Sequence, residues 1–223
     1  MDEFAAMNIE KARFNMIEQQ IKPWKVSDQR VLGAMATLPR ERFVPSDHRT
    51  LAYADIQIPL GHNQTMLAPR ELARMLQALN LNGSEKVLEI GCGSGYASAL
   101  LGKLAKQVYA VDIIADFVNQ AQQHLTSLTI DNVECIEADA ALGWLVQAPY
   151  DAIIIDALLA ELPDALKRSL SDTGKIVAIL EINGQPTVTL CRLDAVDEWD
   201  YEPLFPVTAE PMINAEQPSR FVF

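Results

Sequence analysis

Val87-Leu88-Glu89-Ile90-Gly91-Cys92-Gly93-Ser94-Gly95-Tyr96 is the stretch on which the fold of this 223-residue chain turns. Val87, Leu88 and Ile90 read as a short buried strand, the three alternate glycines as a turn, and 96–104 as the helix that follows. Glycine has no Cβ, so such a turn can bring backbone N–H groups against a ligand at a helix N-terminus. A tight strand-to-helix turn without a ligand has the same pattern, so the acids downstream carry weight. Asp112 ends the next strand, 21 positions after Gly91, where a carboxylate can accept from both hydroxyls of a ribose. Asp139, inside Glu137-Ala138-Asp139-Ala140, ends a third strand within reach of an adenine amino group, and Glu89 precedes the turn within reach of an ammonium. A dinucleotide turn needs a third glycine where Tyr96 stands, and no phosphate loop of the form G-x-x-x-x-G-K-[ST] occurs.

Outward from the turn, the pattern is strand and helix in alternation. Strands are expected over 87–90, 107–111, 133–137, 150–155 and 175–180, with helices over 96–104, 115–128 and 161–170. That alternation predicts a mostly parallel, doubly wound sheet with helices on both faces. After Gly184, runs over 187–193, 199–205 and 220–223 read as antiparallel strands closing an edge. Before residue 85 the chain reads as helices over 12–21, from a Ser27 cap to about Leu38, and over 70–79, with 54–69 as loop or irregular strand. A single domain over 1–223 is expected, residues 1–84 forming a helical cap and substrate loop and 85–223 the ligand-binding sheet.

Composition excludes several classes. A formal net charge of −12 repels polyphosphates, so nucleic acid is not expected as a partner. No apolar run reaches the roughly 20 residues of a membrane span, and the N-terminus lacks a secretion signal. Three unpaired cysteines, Cys92, Cys135 and Cys191, fit a reducing compartment, so a cytoplasmic protein is expected. His48, His62 and His124 follow no metal-ligand spacing, and no metal is expected.

A ligand with an adenosine and a cationic amino-acid end fits these acids, and the stretch 87–96 closely resembles the first motif of the class I S-adenosylmethionine-dependent methyltransferases. Met16-Ile17-Glu18-Gln19-Gln20-Ile21, Arg30-Val31-Leu32-Gly33-Ala34-Met35, Pro39-Arg40-Glu41-Arg42-Phe43-Val44-Pro45 and Ala52-Tyr53-Ala54-Asp55 resemble the N-terminal signature of the protein-L-isoaspartate O-methyltransferases. Ile58-Pro59-Leu60-Gly61-His62-Asn63-Gln64-Thr65 is similar to that family's substrate loop, and Pro149-Tyr150-Asp151-Ala152-Ile153-Ile154 to its fourth strand. The resemblance implies a class I methyltransferase (Rossmann-like) α/β fold with an N-terminal helical cap and antiparallel C-terminal strands. It also implies methyl transfer from S-adenosylmethionine to the carboxylate of isoaspartyl residues in damaged proteins. Cofactor contacts are then expected from Gln64, Thr65, Glu89, Gly91, Gly93, Gly95, Asp112, Ile113, Asp139 and Ala140. Three residues depart from the family pattern: Leu67 stands where a serine is usual, Asp156 where a threonine is usual, and Ala140 where a glycine is usual. The catalytic group is left unassigned, with Leu67, Thr65 and Asp156 as candidates beside the acceptor. Two alternatives stay open: redirection to a neutral or cationic acceptor, and a noncatalytic module that only binds the cofactor.

Overall fold

The computed structural model describes residues 3–194 and 198–215; the strand expected over 220–223 lies outside the described residues. Helix α1 (Glu3–Asn15) runs into a π-helical turn (Met16–Ile21) and a short 3-10 turn (Lys22–Trp24), where Pro23 cannot continue the helix. Helix α2 (Gln29–Thr37) is capped by Asp28 rather than Ser27: the Asp28 carboxylate accepts from the N–H groups of Arg30 at 2.8 Å and Val31 at 3.3 Å. A carboxylate there also meets the positive end of the helix, while the backbone N–H of Ser27 donates to Gln77 at 2.7 Å.

The stretch read as loop or irregular strand is a hairpin of β1 (Ile58–Gly61) and β2 (Gln64–Met66). His62 and Asn63 turn it with φ of 51° and 56°, the left-handed pair that matches the twist of two-residue hairpins. A histidine in the first of those positions, and strands of four and three residues, hide the period. Helix α3 (Pro69–Leu79) follows, started by Pro69 and by Glu71, whose carboxylate accepts from the Ala68 N–H at 3.0 Å.

The sheet then builds in order: β3 (Lys86–Ile90), α4 (Tyr96–Leu104), β4 (Gln107–Asp112), α5 (Ala115–Ser127), β5 (Val133–Glu137), β6 (Tyr150–Leu159), α6 (Asp164–Arg168), β7 (Leu170–Ile182), β8 (Gln185–Leu193) and β9 (Trp199–Pro206). Spatial order is β5-β4-β3-β6-β7-β8-β9, with β5 to β7 parallel and β8 and β9 antiparallel. The helix expected over 161–170 shrinks to α6, because β7 already begins at Leu170. Consequently the two faces differ. Ala152 and Ile154 of β6 face the core built with α2 to α5, and Ile153 and Ile155 face a second core closed by α6 and the 138–149 connection. Strand β6 also runs past Ile155, where the sequence pattern ends it. Its ladder slips between Ile155, paired with Ala178, and Leu158, paired with Ile179, so Asp156 and Ala157 form a bulge. The chain after β9 returns to this bulge: Leu158 N–H donates to Glu210 O and Met212 N–H to Leu158 O, both at 2.9 Å. Among the described residues no helix is long and apolar enough to cross a membrane.

Candidate active site

In a parallel sheet the ligand crevice opens at the carboxyl ends of the strands where the winding reverses, here between β3 and β6. A cleft lies there, open to solvent at its mouth. Gly91, Gly93, Asp112, Ile113, Asp139 and Ala140 line it, and so do Gln64, Thr65, Leu67 and Asp156. Glu89 and Gly95 do not.

Gly95 explains itself by packing. A Cβ there would stand 2.8 Å from Cα and Cβ of Ala121 in α5, and its φ is +81°. It lets α4 begin against α5, so its place in the motif serves the turn's shape. At Gly93 the close neighbour is Leu60 of the hairpin, 3.1 Å from where a Cβ would be. The hairpin therefore lies over the turn, and both form the cleft's walls.

Asp112 is held rigid: its Oδ2 accepts from Gly93 N–H at 2.9 Å and its Oδ1 from Ile114 N–H at 3.0 Å. Each oxygen of a carboxylate has a further lone pair, so two acceptor positions remain for a ligand. Asp139 is fixed likewise, its Oδ1 accepting from Ala141 N–H and its Oδ2 from the side-chain amide of Asn214, both at 2.9 Å. Glu89 sits behind the turn, 1% exposed, with both carboxylate oxygens lacking a hydrogen-bond partner. Burial pushes its carboxyl well above the usual range; Ser98 opposes that, and Asp156 and Asp112 add to it. A cation arriving in the cleft relieves that arrangement, which is the sense in which Glu89 fits a ligand's ammonium without touching the cleft wall.

The opposite wall is built on a buried cation. Arg40 is fully buried, its Nε donating to Ala52 O at 2.9 Å and its Nη2 to Leu67 O at 2.8 Å. Its guanidinium also lies 4.9 Å from the centre of the Tyr96 ring. Arg40 thus ties the segment after β2 to the first residue of α4. Leu67 packs into the main core at 3% exposure, with its carbonyl taken by Arg40. Asp156, projecting from the bulge, makes no ion pair or side-chain hydrogen bond among the described residues. Burial raises its carboxyl well above the usual range, Glu71 and Asp112 raise it further, and Arg40 pulls the other way.

Sequence reading missed Phe117, Met212 and Ile213, which also line the cleft, and did not single out Leu60 and Ser94 within the stretches it marked. Of these, the adjacent apolar pair Met212-Ile213 between Glu210 and Asn214 carried a signal. His62 and His124 brace the site: His62 Nε2 lies 3.3 Å from Asp116, and His124 Nδ1 lies 3.0 Å from Ser94 O. A carbonyl only accepts, so His124 Nδ1 carries the proton. Cys92 lines the cleft, but burial first, and then Asp112 and Glu89, raise its thiol far from ionisation.

Comparison with known proteins narrows the ligand class. The pattern of the family described as Protein-L-isoaspartate(D-aspartate) O-methyltransferase (PCMT) matches residues 11–207. Protein-L-isoaspartate O-methyltransferase 1 of Rhodopseudomonas palustris (strain HaA2) is 41% identical over 206 residues, 92% of this chain and 84% of that one. The Dictyoglomus thermophilum protein-L-isoaspartate O-methyltransferase is 39% identical over 173 residues, covering 78% of each chain. Among solved structures, a protein-L-isoaspartate O-methyltransferase superposes with a TM-score of 0.77 at 22% identity, over 91% of this chain and 65% of that one. The Plasmodium falciparum beta-aspartate methyltransferase (PCMT), solved in complex with S-adenosyl-L-homocysteine, does so at 0.75 and 20%, over 92% of this chain and 97% of that one. At those identities the superpositions speak for the fold.

Proposed function

The chain belongs to the protein-L-isoaspartate(D-aspartate) O-methyltransferase family, and from that premise we propose that it methylates the carboxylate of isoaspartyl residues in damaged proteins, with S-adenosylmethionine as methyl donor. The observation that supports this most is the meeting of two walls in one cleft: Gly91, Gly93, Asp112 and Asp139 on one, Gln64, Thr65 and Leu67 on the other. S-adenosylmethionine supplies a methyl group on a positively charged sulfur, which a carboxylate oxygen takes as the carbon–sulfur bond breaks, leaving an ester and a neutral thioether.

The chain's own residues bind and align. Asp112 accepts from the ribose hydroxyls, Asp139 from the adenine amino group, and Ile113 and Ala140 flank the base. Gly91 and Gly93 admit the amino-acid end to the backbone, and Glu89 balances its ammonium from behind. Gln64 and Thr65 close the cleft from the hairpin. An acceptor carboxylate is ionised near neutral pH, so no general base is required, and rate comes from alignment and exclusion of water. That the cleft takes residues from both 1–84 and 85–223 supports reading them as one domain. The free thiols of Cys92, Cys135 and Cys191 support the cytoplasm as the place of action.

The test is methyl transfer to an isoaspartyl peptide against its aspartyl counterpart, beside calorimetric binding of S-adenosylhomocysteine. Turnover of the isoaspartyl peptide alone is expected. Binding without turnover on either peptide would overturn the acceptor assignment and favour a binding module or an enzyme for another acceptor.

A further inference from the structure

An anionic acceptor in this cleft needs hydrogen-bond donors, and the wall beside Gly91 offers few. Leu67 has an apolar side chain, and its carbonyl already accepts from Arg40. Met66, Leu72 and Ala157 line the same region and bring no polar side-chain group. Gln64 and Thr65 of the hairpin bring donors to this wall, and beside Gly91 it is Asp156 that brings a polar side chain. The bulge of β6 turns it out of the ladder, so that its Cβ lies 3.8 Å from where Gly91 would carry one, on the cleft's wall.

An ionised Asp156 would repel the anionic acceptor. A neutral carboxyl does the reverse, because its O–H is a donor. We propose that Asp156, as the neutral acid, donates its carboxyl O–H to one oxygen of the isoaspartyl carboxylate and so holds the acceptor while the other oxygen takes the methyl group. The inference rests on the family reading above. The proton stays on Asp156 throughout; the bonds made and broken are those of the methyl transfer itself.

The surroundings of Asp156 favour the neutral form. Burial acts first, then Glu71 from α3 and Asp112 from the end of β4, while Arg40 opposes them. Asp156 in turn raises the buried carboxyl of Glu89 in β3. The hydrogen bond is strongest while the acceptor is fully charged and fades as the ester forms. It therefore acts on acceptor binding more than on the chemical step, and its loss raises KM with kcat unchanged or higher.

The experiment measures kcat and KM for an isoaspartyl peptide from pH 5.5 to 9 in wild type, Asp156→Asn and Asp156→Ala. It also measures peptide affinity in the presence of S-adenosylhomocysteine, and checks each variant's fold by thermal melting. Wild-type kcat/KM is expected to fall with rising pH as Asp156 ionises. Asp156→Asn, which keeps an N–H donor, holds the low-pH KM within about threefold and loses the alkaline fall. Asp156→Ala raises KM roughly tenfold to hundredfold at the acid end, the worth of one hydrogen bond to a charged group, and its gap to wild type closes as Asp156 ionises. Methylation with the same pH profile in all three proteins would overturn the proposal and leave the family reading intact. Failure of wild type to bind or methylate the peptide, with S-adenosylhomocysteine binding preserved, would overturn both. Activity that rises with pH in wild type and is abolished by Asp156→Asn would show Asp156 acting as an anion on a cationic acceptor.

Discussion

One wall of the cleft comes from residues 91–94, 111–114 and 138–141, the other from 60, 64–67, 156–157 and 212–213. The first wall is a set of loops that each follow a strand of the parallel sheet. Its spacing is imposed by the ladder, which pairs Ile90 with Val111 and Asp112 with Glu137. The second wall has no such rule. It joins a hairpin of short strands, a bulge, and a tail that touches β6 through one bridge between Leu158 and Pro211. Regular structure fixes the first wall as a by-product of folding, while the second depends on a few particular bonds, Arg40 to Leu67 and Leu158 to Met212 among them. A wall held by few bonds can change its chemistry without unfolding the sheet, and Leu67 and Asp156 both sit on it.

The comparison breaks most severely at Gly95. Alanine there must adopt a φ of +81° and push against Ala121 at 2.8 Å, so strain and overpacking act together. Gly95→Ala is expected to cost about 3 to 5 kcal/mol of stability by denaturant unfolding, and to lose S-adenosylhomocysteine binding with it. An unchanged unfolding midpoint would mean that the first wall is not set by helix packing.

Asp112 comes next. Asp112→Ala removes the acceptor for Gly93 N–H and Ile114 N–H together with the proposed ribose contact. Affinity for S-adenosylhomocysteine should fall by about 3 kcal/mol, roughly a hundredfold by calorimetry. A change below about threefold would detach the ribose from this residue.

How legible the two walls are in the sequence follows from the same contrast. Helix α4 and strand β5 lie where periodicity puts them, because apolar runs and helical spacing recur through 85–137. Asp112 and Asp139 were readable for the same reason: each ends a strand, and strand ends in a parallel sheet meet. Glu89 was legible as an acid but not as a residue behind the wall, since sequence does not tell which side of a turn a side chain occupies. Hairpin and tail escaped detection because their contacts join residues far apart in the chain, as Asn214 joins Asp139. The resemblance in 58–65 marked the hairpin for function without showing its shape.

Glu89 gives a pH test of the first wall. Its carboxyl is raised in the fold, so between the unfolded value of about 4.3 and the folded value the native state holds a proton that the unfolded chain has lost. Stability must therefore fall as pH rises through that window, by up to about 1.4 kcal/mol per pH unit for one proton. Glu89→Gln should flatten this slope in thermal or urea melts of the ligand-free protein and gain most at the alkaline end. Asp156, raised in the same direction, adds its own slope, which Glu89→Gln leaves in place. Identical melts of variant and wild type from pH 5 to 8 would show that Glu89 is ionised without cost.

The smallest expected effect sits where the two walls touch. Asn214 has φ of 63° and donates from its side-chain amide to Asp139, so a residue of the returning tail orients an acid of the sheet. Just before it, Met212 and Ile213 line the cleft, and Met212 N–H is bound to Leu158 O. If Asp139 reads the adenine amino group, Asn214 acts through it as a positioning residue. Asn214→Ala then removes one hydrogen bond to a carboxylate that keeps its second partner, Ala141 N–H. The loss should be about 1 kcal/mol, close to fivefold in affinity for S-adenosylhomocysteine. At saturating S-adenosylmethionine the KM for an isoaspartyl peptide should stay where it was, because Asn214 acts on Asp139 while the acceptor contact proposed above is at Asp156. A parallel rise in peptide KM would show instead that the tail carries strain from Asp139 through Leu158 to the bulge, so that the two walls move as one.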